Sequence, residues 1–277
     1  MEYYMTDERI AESLKALENE ERAAATVEKY RRALLSFAAF LSGAAVTPEM
    51  IHLWKDDLRE KNYAPSTINT YLAALNGFFH FCGWADCCAR FLKIQRRLFR
   101  DSKQELTRAE YERLVAAAEA AGDRSLALLM ETICSTGIRV SEVQYITVEA
   151  AKNGKTEIAL KGKIRTILLP SKLCRKLLKF AARQKTASGA IFRTKSGKAM
   201  SRYQIWSKMK KLCARAGVDA EKAFPHNLRH LFATAFYRAY KDIVKLADVL
   251  GHSSIETTRI YLVTSVAEHR RQLERLS

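Results

Sequence analysis

Apolar residues recur at steps of three and four along most of the chain, which is the spacing of amphipathic helices. The pattern is clear in Thr26–Leu41. It predicts three further helices early in the chain, near Thr6–Leu17, from Pro48 to about Glu60 and from Pro65 to about Cys82. Proline suits the first helical turn because its missing N–H would be unbonded there anyway. We therefore predict that residues 1–95 form a small all-helical domain.

The helical periodicity stops at residues 96–106, where charged side chains concentrate, and this segment is predicted to be a linker. Thr107 and Glu110 then have the spacing of a capping box, in which each side chain accepts a hydrogen bond from the other residue's backbone N–H. They predict the start of a second domain over residues 107–277. Its predicted helices end near Ala120, cover Arg124–Ser135, and resume at Pro170, near Arg202, at Pro225 and over Lys241–Leu250.

Between these helices the pattern changes to short β-rich runs. Tyr145–Val148, Thr156–Leu160 and Thr166–Leu169 are predicted to be strands, and Asn153-Gly154 is the dipeptide typical of a tight hairpin turn. The second domain is thus predicted to be mainly α with a small antiparallel sheet. The low content of Gly (11) and Pro (4) in 277 residues agrees with a helical fold.

Positive charge is concentrated in one part of the chain. The whole sequence has a formal net charge of +17, and residues 151–210 alone contribute +16. So localised a basic segment predicts contact with a polyanion, either nucleic acid or an anionic membrane surface, although a solvated basic face is the alternative.

Several other classes of protein are excluded by the sequence. No apolar run reaches the roughly 18–20 residues of a membrane span, and the polar, acidic N-terminus does not fit a signal peptide. The six cysteines lack paired C-x-x-C spacing, so we predict no metal site and a reducing, cytoplasmic location. No phosphate-binding G-x-x-x-x-G-K-[ST] loop is present, and no cofactor is predicted.

Residues suited to phosphate chemistry lie near Pro225. This proline places His226 and Arg229 on one face of a first helical turn, where free N–H groups and the positive end of the helix dipole favour a phosphate. A polar helix start on the surface is the alternative. His230 is predicted to be a buried packing group.

Two other segments carry residues of the same kind. In Thr136–Glu142, an arginine and a glutamate, Arg139 and Glu142, follow a predicted helix end, and a surface ion pair is the alternative. In Leu250–Tyr261, Gly251 is predicted to end a helix and to place His252 on a turn. Tyr261 has apolar neighbours and, taken alone, would be interpreted as a core residue.

Together the three segments resemble the tyrosine recombinase (phage integrase, Xer-like) family. They match its motifs T-G-x-R-x-x-E, H-x-L-R-H and L-G-H-x-x-x-x-x-T-x-x-Y in order and spacing. The resemblance is strong over about residues 106–277 and weaker over 1–95. It implies an N-terminal SAM-like core-binding domain and a C-terminal catalytic domain that close as a C-shaped clamp on duplex DNA.

The resemblance also implies the roles of the residues. Tyr261 would attack the scissile phosphate and form a 3′-phosphotyrosine, while Arg139 and Arg229 brace its oxygens. His226 would move protons at the tyrosine, His252 would hydrogen-bond the phosphate, and Glu142 would orient Arg139 or His226. A lysine on the turn after Thr156–Leu160 would protonate the leaving 5′-oxygen; Lys161 is our assignment and Lys163 its competitor.

Contacts to the rest of the DNA are predicted from basic and polar side chains on exposed elements. In the second domain they are Lys163, Arg165, Arg202, Gln204 and Lys208; in the first they are Lys29, Arg32, Thr67 and Thr70. The expected partners are duplex DNA with an inverted-repeat core site, further copies of the chain in a tetramer on two sites, and an accessory directionality factor.

Departures from the family pattern narrow the expectation. Tyr261 is followed by Leu262-Val263, whereas Thr-His is common in Xer-type members. We therefore expect a recombinase of a mobile element or an inversion system in a bacterial, nucleoid-associated setting. Residues 262–277 are predicted to form an amphipathic helix that docks on a neighbouring protomer or, alternatively, packs on its own chain. A type IB topoisomerase and a catalytically dead DNA-binding regulator are the competing functions.

Overall fold

The computed structural model describes residues 2–94, 105–160, 163–194, 196–259, 261 and 274, without the side chains of Leu160 and Lys163. The chain divides into two compact units, Met1–Arg96 and Arg97–Ser277. Most of the predicted linker, residues 96–104, lies outside the described residues. No helix in the described ranges combines the length and the apolar content that a membrane crossing requires.

The N-terminal unit is a bundle of helices, as predicted. The helices are α1 (Asp7–Asn19), α2 (Ala24–Leu41), α3 (Pro48–Glu60) and α4 (Pro65–Cys82), followed by a short 3₁₀ turn at Ala85–Cys87. Phe37 is at the centre of its core, with ring centroids 4.9 Å from Trp54 and 6.4 Å from Phe79. The bounds of α3 and α4 agree with the sequence prediction because each begins at a proline, and α4 ends at a left-handed glycine, Gly83.

The C-terminal unit is mainly helical with one hairpin. Its elements are α5 (Arg108–Ala120), α6 (Arg124–Thr136), α7 (Val148–Asn153), β1 (Lys155–Leu160), β2 (Lys163–Leu168), α8 (Ser171–Arg183), α9 (Arg202–Ala216), α10 (Pro225–Tyr240), α11 (Ile243–Leu250) and α12 (Ile255–Arg259). The predicted capping box opens α5, with Thr107 N–H donating to Glu110 (2.8 Å) and Glu110 N–H to the Thr107 hydroxyl (3.2 Å). Helix α6 is at the centre of the unit and packs on α5, α8, α9 and α10.

The sheet contains two antiparallel strands, with Lys155 opposite Leu168 and Ile158 opposite Arg165. The predicted strand at Tyr145–Val148 is wrong, because Val140–Tyr145 forms a 3₁₀ helix and α7 starts at Val148. Local capping explains the difference. The Thr147 hydroxyl accepts from Ala150 N–H (3.0 Å), and the left-handed Gly154 (φ 69°) ends α7 instead of turning a hairpin.

Gly137 is required where α6 ends. Its φ is +65°, and an added Cβ would lie 2.5 Å from Phe232 Cδ1 and 2.9 Å from Leu250 Cδ2. Gly137→Ala should therefore lower the free energy of unfolding by about 2–4 kcal/mol, through backbone strain and overpacking together. Urea denaturation would measure the loss.

Gly217→Ala is the matched control for this substitution. Gly217 also ends a helix with positive φ (+58°), but an added Cβ there meets nothing within 4 Å. Its loss should be limited to the backbone cost, about 1 kcal/mol. Equal losses for the two variants would show that the packing around Gly137 contributes nothing.

Candidate active site

Tyr261 lies among three imidazoles. Its ring centroid is 5.1 Å from that of His230, 5.8 Å from that of His252 and 6.3 Å from that of His226, and the His252 ring is stacked at 8°. The tyrosine is buried against Ala233, Leu246 and Leu250. Tyr261 thus packs against apolar side chains, as a core residue does, and it also lies beside three histidines, which can accept and donate protons.

Arg229 is buried beneath this cluster and is held by main-chain carbonyls. Its Nη1 donates to Gly137 O (2.5 Å), and its Nη2 donates to Leu250 O (2.8 Å) and contacts His252 Nε2 (2.8 Å). Burial lowers the pKa of Arg229 to about 10, with a further lowering by Arg139 and an opposing contribution from a hydrogen bond with Tyr261. The guanidinium therefore remains charged at neutral pH.

The contacts of His252 define its protonation state. A guanidinium has only donors, so His252 Nε2 accepts from Arg229. The ring proton then lies on Nδ1, which is 2.9 Å from the Thr258 hydroxyl. Burial and, after it, the charges of Arg229 and Arg139 lower the pKa of His252 to about 4. His252 is thus a neutral imidazole with a defined tautomer, and Thr258, a residue of the tyrosine motif to which sequence reasoning gave no role, orients it.

Stability should fall with acidification because of this histidine. The pKa of His252 is about 4 in the folded protein, against an ordinary 6.5. Between these values the unfolded chain binds a proton that the folded chain does not, so stability is present above pH 6.5 and is lost towards pH 4. Calorimetric melting at pH 7, 5.5 and 4.5 should show a smaller decline for His252→Gln than for the wild type. A decline for His252→Gln as steep as that of the wild type would contradict the assignment.

Glu142 is the buried carboxylate of the site. It accepts hydrogen bonds from Arg139 N–H (2.7 Å), from Arg139 Nη1 (2.9 Å) and from Arg165 Nη1. Burial alone would raise the pKa of Glu142, but the hydrogen bonds from Arg139 and Arg165 and the positive charge of Arg165 outweigh it and hold the pKa below its ordinary value. Of the two partners predicted for Glu142, the described contacts include Arg139. A surface ion pair is not what the structure shows, because the Glu142 side chain is only 2% exposed.

Arg165 lies elsewhere than predicted. The sequence suggested a DNA contact on the hairpin, but the side chain is only 12% exposed, and its guanidinium pairs with Glu142 and donates from Nη2 to Val249 O (2.9 Å). This correction has a physical cause. Arg165 pairs directly with Ile158 across the two strands, so both side chains lie on the same face of the sheet, and Ile158 is buried on that face.

Four of the other predicted residues lie around a single cavity. Arg139, Arg202, His226 and Arg229 line one cavity of about 700 Å³, together with Tyr203 and Trp206. The two aromatic residues are 71% and 41% exposed, and sequence reasoning missed them because aromatic residues in a helix usually face the core. Lys161 lies outside the described residues, and so does the side chain of its competitor Lys163.

Four of the remaining residues predicted to contact DNA already have partners in the protein, and two are described by their exposure alone. Gln204 caps α9 by accepting from Ser201 N–H (2.9 Å), and Lys208 pairs with Asp123 (2.7 Å). In the N-terminal unit Arg32 pairs with Glu28 (3.1 Å), Thr70 donates to Ser66 O, Lys29 is exposed and Thr67 is half-buried. Among the described residues, no group of His, Cys, Asp or Glu side chains is placed to hold a metal ion.

Both units of the chain match known protein families. Residues 104–268 match the phage integrase family, and residues 10–86 match its N-terminal SAM-like domain. Tyrosine recombinase XerD of Brucella abortus is 32% identical over 280 residues, covering 90% of each chain. Tyrosine recombinase XerA of Pyrococcus furiosus is 30% identical over 229 residues, covering 79% of this chain and 77% of that protein.

Solved structures share the fold at lower sequence identity. A lambda integrase dimer bound to a COC′ core site superposes with a TM-score of 0.75 at 17% identity, covering 94% of this chain and 77% of that one. XerH recombinase bound to a difH substrate gives 0.71 at 20% identity, covering 96% and 84%. The family match covers more than half of the sequence and spans the whole set from Arg139 to Tyr261. This chain therefore belongs to the phage integrase family, the tyrosine-type site-specific DNA recombinases.

Proposed function

We propose that this protein cuts and rejoins duplex DNA at an inverted-repeat core site through a 3′-phosphotyrosine formed at Tyr261. The observation that carries the proposal is the contact of Arg229 with His252, whose ring stacks on the Tyr261 ring. One cationic group, one neutral imidazole and one phenol thus meet beside a cavity that Arg139 and His226 also line.

The charges of the site suit a pentacoordinate phosphate. Arg139, Arg165 and Arg229 gather there, and Glu142 is the carboxylate that pairs with two of them. The net charge of the site is therefore positive. It would stabilise the negative charge that increases on the non-bridging oxygens of the phosphate in the transition state. Planar guanidinium groups suit this task because they can donate two parallel hydrogen bonds to one phosphate.

The reaction steps follow from these groups. The Tyr261 oxygen attacks phosphorus while the phenolic proton passes to His226, and Arg139 and Arg229 bind the non-bridging oxygens. The bond from phosphorus to the 5′-oxygen breaks, and that oxygen takes a proton from Lys161, with Lys163 as the alternative donor. The 5′-hydroxyl of another strand then attacks the phosphotyrosine and gives its proton to Lys161. The bond from phosphorus to the Tyr261 oxygen breaks, that oxygen takes its proton back from His226, and a phosphodiester is restored. The bond energy is retained in the adduct, so rejoining needs no nucleotide.

We further propose a tetramer on two DNA sites, in which the predicted helix of residues 262–277 docks on a neighbouring protomer. This segment lies outside the described residues apart from Glu274. The proposal extends to the recombinase of a mobile element or an inversion system, assisted by a directionality factor. Support comes from Leu262-Val263 after Tyr261 and from relatives such as the Tn1549 transposon integrase, which is solved with transposon right end DNA.

A test need not know the target site in advance. Nicked duplexes with randomised arms are incubated with the protein, DNA attached to denatured protein is recovered, and the attached strands are sequenced. We expect a covalent adduct enriched for inverted repeats, with DNA joined through its 3′-phosphate and a free 5′-hydroxyl on the other fragment. Absence of any adduct would contradict the proposal. Relaxation of supercoiled plasmids without the enriched site, and without strand exchange, would instead favour a topoisomerase.

A further inference from the structure

Arg165 joins three elements of the catalytic unit. It lies on β2, its Nη1 pairs with Glu142 of the 3₁₀ helix, and its Nη2 donates to Val249 O (2.9 Å) near the end of α11. Both terminal nitrogens of the guanidinium are thus bound by the protein. The side chain is 12% exposed, and unlike Arg139 and Arg229 it does not line the cavity of the candidate site.

The same guanidinium packs against the turn that carries His252. A Cβ added to Gly251 would come within 3.1 Å of Arg165 Cγ and closer still to its Cδ and Nε. Gly251 O in turn accepts from Arg139 Nη2 (3.3 Å). The side chain of Arg165 therefore supports the turn that carries His252 and that accepts a hydrogen bond from Arg139.

Arg165 also affects the electrostatics of the site through its positive charge. Glu142 offers Oε1 to the Arg139 guanidinium, and it shares Oε2 between Arg139 N–H and Arg165. Without Arg165, the whole carboxylate charge would act on Arg139, and the positive charge of the site would fall by one. Arg165 thus offsets Glu142 and leaves the charge of Arg139 to the phosphate.

We propose that Arg165 is a positioning residue for strand cleavage, which fixes Arg139 and the His252 turn and preserves the positive charge that the scissile phosphate meets. The inference rests on the proposed function. It differs from a DNA contact, because Arg165 would act through Arg139 and would not touch the nucleic acid.

The test compares two substrates that differ in one charge. Both are the same nicked duplex, and the scissile position carries either the natural phosphodiester or a neutral methylphosphonate, which lacks one charged non-bridging oxygen. Arg165→Gln should slow adduct formation on the phosphodiester by about 10²-fold, the scale of a small misplacement in an active site. On the methylphosphonate the loss should shrink to within about threefold, because the transition state there has one negative charge fewer to stabilise.

Two further variants serve as controls for this test. Arg165→Lys keeps the charge but cannot bridge Glu142 and Val249 O together, so its rate should lie between the wild type and Arg165→Gln; it replaces the glutamine variant if that one does not fold. Arg238→Gln, which removes an exposed positive charge from α10 outside the basic segment 151–210, should match the wild type on both substrates.

The possible outcomes are distinct. Equal slowing of Arg165→Gln on both substrates would overturn the proposal in favour of a purely structural role. Weaker DNA binding with an unchanged single-turnover rate would overturn it in favour of a direct DNA contact. Failure of the wild-type protein to form an adduct with either substrate would count against the proposed function itself.

Discussion

Tyr261→Phe is expected to abolish the covalent adduct while leaving fold and DNA affinity intact. Phenylalanine preserves the ring that stacks on His252 and lies 5.1 Å from the His230 ring, and it removes the attacking oxygen together with its hydrogen bond to Arg229. Removal of a nucleophile from a covalent enzyme costs on the order of 10⁶ in rate, so no adduct should be detected. Single-turnover assays on the enriched nicked duplex, read on denaturing gels, would measure this. Melting temperature and DNA affinity should remain close to those of the wild type.

A neighbouring tyrosine provides the control. Tyr237 packs against the same small cluster as Tyr261, and Tyr237→Phe makes the same chemical change a short distance away. This variant should form the adduct at the wild-type rate. An adduct that persists in Tyr261→Phe would mean that another side chain attacks the phosphate, and the assignment of the nucleophile would be wrong.

Arg229→Gln is expected to have the next largest effect, and it should act on both chemistry and stability. Loss of an arginine that stabilises a phosphoryl transition state typically costs about 10³–10⁵ in rate. The substitution also removes donors from Gly137 O and Leu250 O, which should lower the free energy of unfolding by about 2–4 kcal/mol. Adduct formation well below the melting temperature would measure the first effect, and urea denaturation the second.

The contributions of charge and geometry can be separated at the same position. Arg229→Lys keeps a positive charge but cannot reach two carbonyls and His252 together, so we expect it to recover only part of the rate. Arg238→Gln, at an exposed position of the same helix, should change neither rate nor stability. Full activity of Arg229→Lys would show that charge alone is required and that the carbonyl contacts have no catalytic importance.

Much of the fold could be predicted because its signals are local. Helices α3 and α4 begin at prolines, and Thr107 with Glu110 forms the expected capping box. The error at Tyr145–Val148 has the same origin, since a β-rich tetrapeptide is too short a signal to outweigh the Thr147 cap. Local signals were therefore dependable where several agreed and misleading where one stood alone.

Most residues of the candidate site could be predicted from the sequence, but the contacts between them could not. The resemblance of three sequence segments to the family motifs picked out Arg139, His226, Arg229 and Tyr261, and these residues lie at one site in the structure. The direction of Arg165 could not be predicted, because the face of a two-stranded hairpin depends on which side the helices cover. The contact of Thr258 with His252 likewise requires the turn to be folded.

The carbonyl groups that hold the arginines have an evolutionary consequence. Gly137 O, Val249 O, Leu250 O and Gly251 O belong to the C-terminal ends of α6 and α11, so the ligands that anchor the three guanidinium groups are independent of side-chain identity at Val249 and Leu250. Apolar replacements at those two positions should be tolerated among homologues. Insertion or deletion of a single residue there would shift the carbonyls relative to the arginines, so the length of this turn should vary far less than its sequence.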